Sequence, residues 1–411
     1  MKVIAGSKFA YLHKQSAEGL NALLDWWTSA GFDNINQRFY GEVDNQNIPN
    51  VSSTFCVIQR SRLLWFFSAV SQLESYGHFR KYADLQFKEL ITHFYDKEYG
   101  GFLWELNENY SPTVKIKKTY AQAFCIYALS EYSSLTNNKE AKDIALETYN
   151  LLESKTWDTT KGGYIEAFDQ QWDGLQDMRL SQKDQNEAKT MNTHLHILEA
   201  YTRLSVVCEK QEVKLSLTRV LSIYHDKFFN PVKGHFDLFF DHDWNLKSNI
   251  ISYGHDIESA WLMREAIENI EDYEIECKVE NLSIKIADRI LQMGLEAHGG
   301  IKNEVHNNRA DTTFDWWPQA EAVVGFLNIY DASHDEKYFH AAINCMKFIQ
   351  ENFFNIESGE WYWKINEQLQ PEKGLMKSSA WKAPYHNGRM YIEILKRQKK
   401  LEAVTNTGEI I

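Results

Sequence analysis

Apolar residues recur at three- and four-residue spacing in long stretches of the chain, and these stretches come in pairs. One pair is SRLLWFFSAVSQL with YADLQFKELITHFY, and the next is TYAQAFCIYALSEY with KDIALETYNLLE. This spacing places the apolar side chains on one face of an α-helix, so it predicts pairs of amphipathic helices. The 6 prolines among 411 residues agree with a mainly helical protein.

A glycine turn separates consecutive helix pairs, and apolar and polar residues alternate after each glycine, as in a short strand or hairpin. The turns lie at Gly41, Gly101, Gly163, Gly234, Gly300 and Gly359, and subtraction gives steps of 60, 62, 71, 66 and 59 residues. Six such units predict an all-α fold, an (α/α)6 barrel of six helix hairpins with short β-hairpins in the loops. No linker rich in Gly, Pro or Ser divides the chain, so we expect residues 1–411 to form a single catalytic domain.

Composition excludes several classes of function. The net charge of −13 disfavours partners such as nucleic acid or an anionic membrane, which attract basic surfaces. The 5 cysteines form no CxxC pair, which argues against a disulfide framework or a zinc–cysteine site and for a reducing compartment. No apolar run is long enough for a signal peptide or a membrane span, so we expect a soluble cytoplasmic protein. We also expect a monomer, although no sequence pattern indicates the oligomeric state. The aromatic content of 14% can supply walls for sugar rings as well as core.

In the predicted barrel, the inner helices begin after the glycine turns, and their first residues surround one mouth. Histidines and acids occur there in KTMNTHLHILE and GHDIESAW. Residues i and i+3 share a helix face, so His196 is matched with Glu199 and His255 with Glu258. His194 and His196 are two residues apart and diverge, and His196 is favoured for the site because it has the i+3 acid.

Three chemistries compete for these residues. HxxE pairs occur in metal sites of helical bundles, but the chain has no HExxH motif, so a metal site is disfavoured. A glycosidase needs two carboxylates, for which Glu258, Glu304 and Asp184 are candidates. Histidine is the natural base near neutral pH, and two histidines on opposite sides of a sugar carbon suit proton transfer beside a carbonyl, as in epimerases.

Four segments, MNTHLHILEAY, GHDIESAWL, WWPQAEAVVGFLNIY and WKAPYHNGRM, resemble the cellobiose 2-epimerases of the N-acylglucosamine 2-epimerase superfamily. The resemblance spans nearly the whole chain and implies the same (α/α)6 barrel. It also implies reversible inversion at C2 of the reducing-end sugar of β-1,4-linked disaccharides, cellobiose to glucosyl-mannose and lactose to epilactose, without a cofactor or a metal. The partner would be a small sugar alone.

The resemblance implies roles for individual residues. His255 and His386 would be the acid/base pair at C2, with Glu258 supporting His255 and His196 assisting ring opening. Arg62 would stabilise the enediolate. The remaining substrate-binding residues would be Tyr120, Asn192, Trp316 and Trp381 around the ring, with Asp184 and Glu304 in loops over the pocket.

Relatives in this superfamily act on free mannose and glucose or on N-acetylglucosamine, so a monosaccharide 2-epimerase is an alternative. Two further alternatives are a glycoside hydrolase on the same barrel and a non-catalytic carbohydrate-binding protein.

Overall fold

The computed structural model describes residues 2–354, 359–372 and 374–407, with side chains described within residues 8–397 of these ranges. Helices dominate. Their bounds are α1 (Lys2–Trp27), α2 (Val57–Ser71), α3 (Arg80–Glu89), α4 (Thr119–Thr136), α5 (Lys139–Leu151), α6 (Met191–Cys208), α7 (Gln211–Ile223), α8 (Tyr253–Ile267), α9 (Tyr273–Arg289), α10 (Trp316–Ser333), α11 (Glu336–Asn352) and α12 (His386–Thr407). Among these helices, none combines the length and the apolar character that a membrane crossing requires.

The even-numbered helices form the inner layer of a helical barrel. Each packs against the next even-numbered helix, from α2 through α4, α6, α8 and α10 to α12, and α12 contacts α2 again. The odd-numbered helices lie outside, and each packs against an inner helix, as α3 does on α2 and α1 does on α12. The predicted helix pairs are therefore one inner and one outer helix.

Burial distinguishes the two layers. The outer helices are amphipathic as predicted, since α5 buries only the stripe Ala141, Ile144, Ala145, Thr148 and Tyr149. Every residue of α2 from Val57 to Ser71 is buried. The expectation of one apolar face is wrong for α2, because this helix contacts neighbours on both sides and the barrel interior as well.

The strands are two or three residues long and lie at the ends of the helices. Their bounds are β1 (Phe32–Asp33), β2 (Arg38–Phe39), β3 (Glu42–Val43), β4 (Pro49–Asn50), β5 (Phe55–Cys56), β6 (Glu105–Leu106), β7 (Pro112–Val114), β8 (Lys117–Lys118), β9 (Ala167–Phe168), β10 (Lys189–Thr190), β11 (Phe229–Asn230), β12 (His235–Phe236), β13 (Phe239–Phe240), β14 (Ile250–Ser252), β15 (Glu304–His306), β16 (Arg309–Ala310), β17 (Phe314–Asp315) and β18 (Lys364–Ile365). The short β-hairpins expected after the helices are present, for example β1–β2 and β11–β12.

These strands also join consecutive units around one mouth of the barrel. The strand before an inner helix pairs with a strand of the next unit, as β8 does with β9, β10 with β13, β14 with β15 and β17 with β18. A bridge between Val43 and Ser378 connects the last unit to the first. The N-terminal ends of the inner helices are therefore held at fixed positions around this mouth.

The fourth residue of four inner helices fastens the helix to the preceding glycine turn. Gln122 bonds both the N–H and the C=O of Phe102, and Gln319 does the same with Ile301. His194 Nε2 accepts from the Tyr164 N–H at 2.9 Å, and Asp256 accepts from the Phe236 N–H at 2.9 Å. These side chains, here called the clamp residues, satisfy backbone groups that the turns leave unpaired.

Candidate active site

A cavity of about 450 Å³ opens at the mouth formed by the N-terminal ends of the inner helices. The eleven site residues expected from the sequence all line it: Arg62, Tyr120, Asp184, Asn192, His196, His255, Glu258, Glu304, Trp316, Trp381 and His386. Inner helices carry most of them, while Trp381, Asp184 and Glu304 lie in the segments before α12, α6 and α10. A second cavity of about 410 Å³ shares Asp184, Asn192, His255 and Glu304 with the first and adjoins it.

His386 opens α12 and is oriented by an acid on α10. Its Nδ1 lies 2.7 Å from Glu321 Oε1 and 3.8 Å from Glu258 Oε1. Burial, and then the nearby Arg62 and Arg389 charges, lower the pKa of His386 well below its usual range. A neutral ring that donates from Nδ1 to a carboxylate keeps a lone pair on Nε2, so His386 is prepared to act as a base.

His255 is partly exposed to the cavity and is held by a hydroxyl group. Its Nδ1 lies 2.8 Å from Ser252 Oγ, and its ring centroid lies 4.6 Å from that of Trp317. Enclosure in the barrel, and then the nearby His196, lower the pKa of His255 to about 3. Because a hydroxyl can either donate or accept, this partner permits both ring tautomers. The Trp317 centroid is also 5.6 Å from that of His386, so the two histidines share one wall.

The expected support of His255 by Glu258 is wrong. Glu258 accepts from the Arg389 guanidinium at 2.5 Å and faces His386, whereas His255 bonds Ser252. The spacing of three residues brings two side chains to the same face of a helix. In this barrel that face also contacts α12, and the arginine there is the stronger partner for a carboxylate.

His196 on α6 has the acid partner that its sequence predicts. Its Nδ1 lies 3.2 Å from Glu199 Oε2, and burial lowers its pKa. Glu199 also accepts from the Tyr385 hydroxyl at 2.6 Å and bonds Arg389. Burial opposes ionisation of Glu199, but the Arg389 charge outweighs it and lowers the pKa of this carboxyl.

Arg389 is the centre of the buried network and was not anticipated. It bonds Glu199, Glu258 and Glu321, the last at 2.7 Å, and is 1% exposed. Three carboxylates around one guanidinium leave an excess of negative charge. Burial, and then the Glu321 charge, raise the pKa of Glu258 well above its usual value, so a proton on Glu258 relieves that excess.

The internal repeat could have identified part of this network. Glu321 is the sixth residue of α10, as His196 is of α6 and Glu258 of α8. Arg389 is three residues after His386 and so shares its helix face. Neither signal reveals that acids from three different helices converge on one arginine.

A metal ion was weighed from the sequence, and one cluster has the donors for it. Single ligand atoms of Glu258, Glu321 and His386 lie within 4.8 Å of one another. Arg389 already bonds both carboxylates of this cluster, at 2.5 and 2.7 Å. The protein therefore supplies the positive charge at this place from its own side chain.

Arg62 differs from Arg389 because it has no ion-pair partner among the described residues. Its Nη1 donates to the Trp381 carbonyl at 2.5 Å and its Nη2 to the Tyr120 hydroxyl at 3.0 Å, while its Nε has no partner in the described protein. The side chain is 3% exposed and lines the cavity. A buried guanidinium without a carboxylate favours a negatively charged group in the cavity.

Aromatic side chains close the cavity. Trp316, Trp317, Trp363 and Trp381 line it, and Trp317 and Trp363 were not among the expected site residues. Flat, half-apolar faces of sugars suit such walls. A cavity at the mouth of a helical barrel, with histidines of lowered pKa, an arginine without a carboxylate partner and tryptophan walls, is typical of a carbohydrate-active enzyme.

Comparison with known families agrees with this class. Residues 39–387 match the model of the N-acylglucosamine 2-epimerase (GlcNAc 2-epimerase) family. The chain belongs to this family and is a carbohydrate epimerase or isomerase.

Individual relatives align over nearly their full length. The cellobiose 2-epimerase of Bacteroides fragilis is 37% identical over 91% of this chain and 95% of its own, and that of Dictyoglomus turgidum is 34% identical over 97% and 99%. The crystal structure of a sugar epimerase from a ruminal bacterium superposes with a TM-score of 0.90 at 33% identity, covering 94% of this chain and 99% of its own.

Proposed function

We propose that this enzyme catalyses reversible C2 epimerisation of the reducing-end sugar of β-1,4-linked disaccharides, cellobiose to glucosyl-mannose and lactose to epilactose. The disaccharide assignment is supported by the similarity to proteins named cellobiose 2-epimerase. The observation that carries the chemistry is Arg62, a buried cation without a carboxylate, in the same cavity as three neutral imidazoles. The helix order supports an (α/α)6 barrel as the scaffold.

The first chemical step in this proposal is ring opening at the reducing end. The C2 proton of an aldose becomes acidic only beside a free carbonyl group. In this proposal His196 moves a proton between the ring oxygen and O1, and its ring is oriented by Glu199, which also accepts from the Tyr385 hydroxyl. Tyr120, Asn192 and the tryptophan walls bind the sugar while the ring opens.

Deprotonation at C2 follows and gives a cis-enediolate. Either His255 or His386 removes the proton through its Nε2, while the negative charge on the enediolate oxygen is stabilised by Arg62. The other histidine returns a proton to the opposite face, or the intermediate rotates about C2–C3 before it is reprotonated. In the reverse direction the two histidines exchange roles, which makes the inversion reversible.

The hydrolase alternative is less well supported by the arrangement of charges. A glycosidase needs one acid and one carboxylate that both reach the glycosidic bond. Glu258 bonds Arg389, and Asp184 Oδ2 accepts from the Ser181 N–H and Oγ at 2.7 Å each. By contrast, His196, His255 and His386 each keep a ring Nε2 that forms no hydrogen bond within the described protein.

Incubation of the enzyme with cellobiose, lactose, mannose and N-acetylglucosamine, with product analysis by NMR, tests the proposal. We expect glucosyl-mannose from cellobiose and epilactose from lactose, with a higher kcat/KM for either disaccharide than for mannose. Free glucose from cellobiose would indicate hydrolysis instead. A higher kcat/KM for mannose would assign the enzyme to the monosaccharide.

A further inference from the structure

The loop of residues 176–187 forms one wall of both cavities. Leu180, Ser181, Lys183 and Asp184 line the cavity that holds the candidate histidines and also the adjoining second cavity. This loop lies between β9 and β10, outside the barrel of helices. The adjoining cavity offers room for a second sugar attached to the reducing-end ring, so the position of the loop that lines both cavities bears on disaccharide binding.

Hydrogen bonds inside the loop fix its shape. Asn186 joins the two ends, since its Nδ2 donates to the Gln176 carbonyl at 2.9 Å and its Oδ1 accepts from the Met178 N–H at 2.8 Å. Asp184 holds the turn at Ser181 through two bonds of 2.7 Å. These contacts connect the loop to itself and do not place it on the barrel.

Lys118 supplies a connection to the barrel. Its ammonium group donates to the carbonyls of Arg179 at 2.9 Å and Leu180 at 2.8 Å. Lys118 directly precedes α4, whose second residue is the cavity residue Tyr120. Its Nζ lies 4.1 Å from the Trp104 ring, which packs 5.9 Å from the ring of Trp381. The lysine thus joins the loop to two elements of the cavity wall.

Lys118 differs from two other lysines, the adjacent Lys117 and Lys189 before α6, in the groups that its ammonium contacts. Lys117 and Lys189 are fully buried, lie over the rings of Trp172 and Trp244, and pair with Asp96 at 2.9 Å and Asp158 at 2.7 Å. Lys118 has no such ion pair within the described part of the chain. Burial lowers the pKa of Lys118 and outweighs the nearby Asp177 and Asp184 charges, which act in the opposite direction, and the ammonium donates to the loop carbonyls.

We propose that Lys118 is a positioning residue that fixes the 176–187 loop against the barrel and thereby sets the preference for a disaccharide over a monosaccharide. The role in substrate preference rests on the proposed function, whereas the anchoring of the loop by Lys118 does not. The ammonium acts on the substrate only through the loop, by holding Ser181 and Asp184 at the cavity.

Limited trypsin digestion tests the anchoring independently of activity. Arg179 and Lys183 lie in the loop with exposed side chains, so trypsin cleaves there when the loop leaves the barrel. Lys118→Met should accelerate cleavage at these sites by about tenfold, since two charge-assisted hydrogen bonds are lost. Lys115→Met, which removes an exposed lysine three residues before Lys118, is the control and should leave that rate within about twofold. Equal cleavage rates in wild type and Lys118→Met would overturn the proposal.

Steady-state kinetics test whether Lys118 affects the preference for a disaccharide over a monosaccharide. In Lys118→Met we expect the ratio of kcat/KM for cellobiose to that for mannose to fall by about tenfold, mainly through KM for cellobiose. Lys115→Met should keep the wild-type ratio, and Lys118→Arg, which restores a cation, should recover part of the ratio that Lys118→Met loses. A ratio unchanged in Lys118→Met overturns the specificity role. Wild-type enzyme without turnover of cellobiose would refute the proposed function and leave the digestion result standing.

Discussion

The clamp residues and the cavity residues lie in the same N-terminal turns of the inner helices, but the clamp residues bond hairpin backbone while the cavity residues face the cavity. His194 and His196 make the comparison directly, because both are buried on α6 and burial lowers the pKa of both. His194 has both ring nitrogens bonded to backbone, Nδ1 to the Thr190 carbonyl at 2.7 Å and Nε2 to the Tyr164 N–H at 2.9 Å. His196 bonds through Nδ1 to Glu199 and lines the cavity.

Burial and a lowered pKa are common to His194 and His196, so they do not separate the clamp histidine from the cavity histidine. The two differ in how many ring nitrogens form hydrogen bonds within the described protein. His196, His255 and His386 are each anchored at Nδ1, which leaves Nε2 for a ligand. On α6 the position in the helix carries the same information, since the fourth residue, His194, faces the hairpin and the sixth, His196, faces the cavity.

The largest effect should come from the two histidines assigned to C2. His255→Ala and His386→Ala should each lower kcat by about 10²–10⁴-fold, because each removes a group that transfers a proton in the transition state. The exposed His242 provides the control, and His242→Ala should retain full turnover. Circular dichroism and the melting temperature establish that the variants are folded. Substantial turnover by a folded His255→Ala or His386→Ala enzyme would remove these residues from the mechanism.

Arg389 should show the largest effect on stability. Arg389→Met leaves Glu199, Glu258 and Glu321 buried around an apolar side chain, so we expect a loss of about 3–5 kcal/mol in the free energy of unfolding. Arg389→Lys keeps one charge but cannot bridge three carboxylates, so its loss should be smaller. Urea unfolding measures both, and equal stability of Arg389→Met and wild type would mean that the network is not held by this arginine.

A substitution at His194 separates structure from chemistry. His194→Ala leaves the Tyr164 N–H unpaired and should cost about 1–3 kcal/mol, with kcat of the folded enzyme little changed. His194→Gln should cost less, because glutamine occupies the corresponding position at Gln122 and Gln319. In contrast, His196→Gln should keep most of the stability and lose activity. The distinction between His194 and His196 is wrong if substitutions at the two positions change the free energy of unfolding and kcat alike.

The pH dependence of stability sharpens the same comparison. The pKa of His194 is lowered from 6.5 to about 4 in the folded protein, so the unfolded chain binds its proton first as the pH falls. The contribution of His194 to stability is complete above pH 6.5 and is lost below it, by at most about 1.4 kcal/mol per pH unit. His194→Gln lacks this term, so the wild type should lose stability relative to it between pH 6.5 and 4. A constant difference across that range would contradict the lowered pKa.

The spacing of glycine turns and apolar residues was sufficient to predict a helix-rich fold built from paired helices. It could not predict that α2 is buried on every side, because burial depends on which helices become neighbours. It also gave no information on pairs such as β10 with β13, which join residues about 50 positions apart through contacts of only two residues.

The residues of the candidate site could be predicted where they belong to sequence motifs. Contacts between charged residues of distant segments could not be predicted. The eleven expected residues line one cavity because each lies at a helix start or in the preceding loop. The partner of Glu258 was predicted wrongly, since spacing along one helix says nothing about Arg389 on another. The loop anchor Lys118 was missed for the same reason, because its partners are carbonyls about 60 residues away.

The most direct test of the account follows the proton at C2. The enzyme is incubated with cellobiose in D2O containing EDTA, and the products are examined by NMR. The account predicts deuterium at C2 of the reducing-end sugar in glucosyl-mannose and recovered cellobiose, with no bond cleavage, and loss of this exchange in His386→Ala. Epimerisation without any deuterium at C2, or a requirement for a chelatable metal, would contradict proton transfer by these histidines.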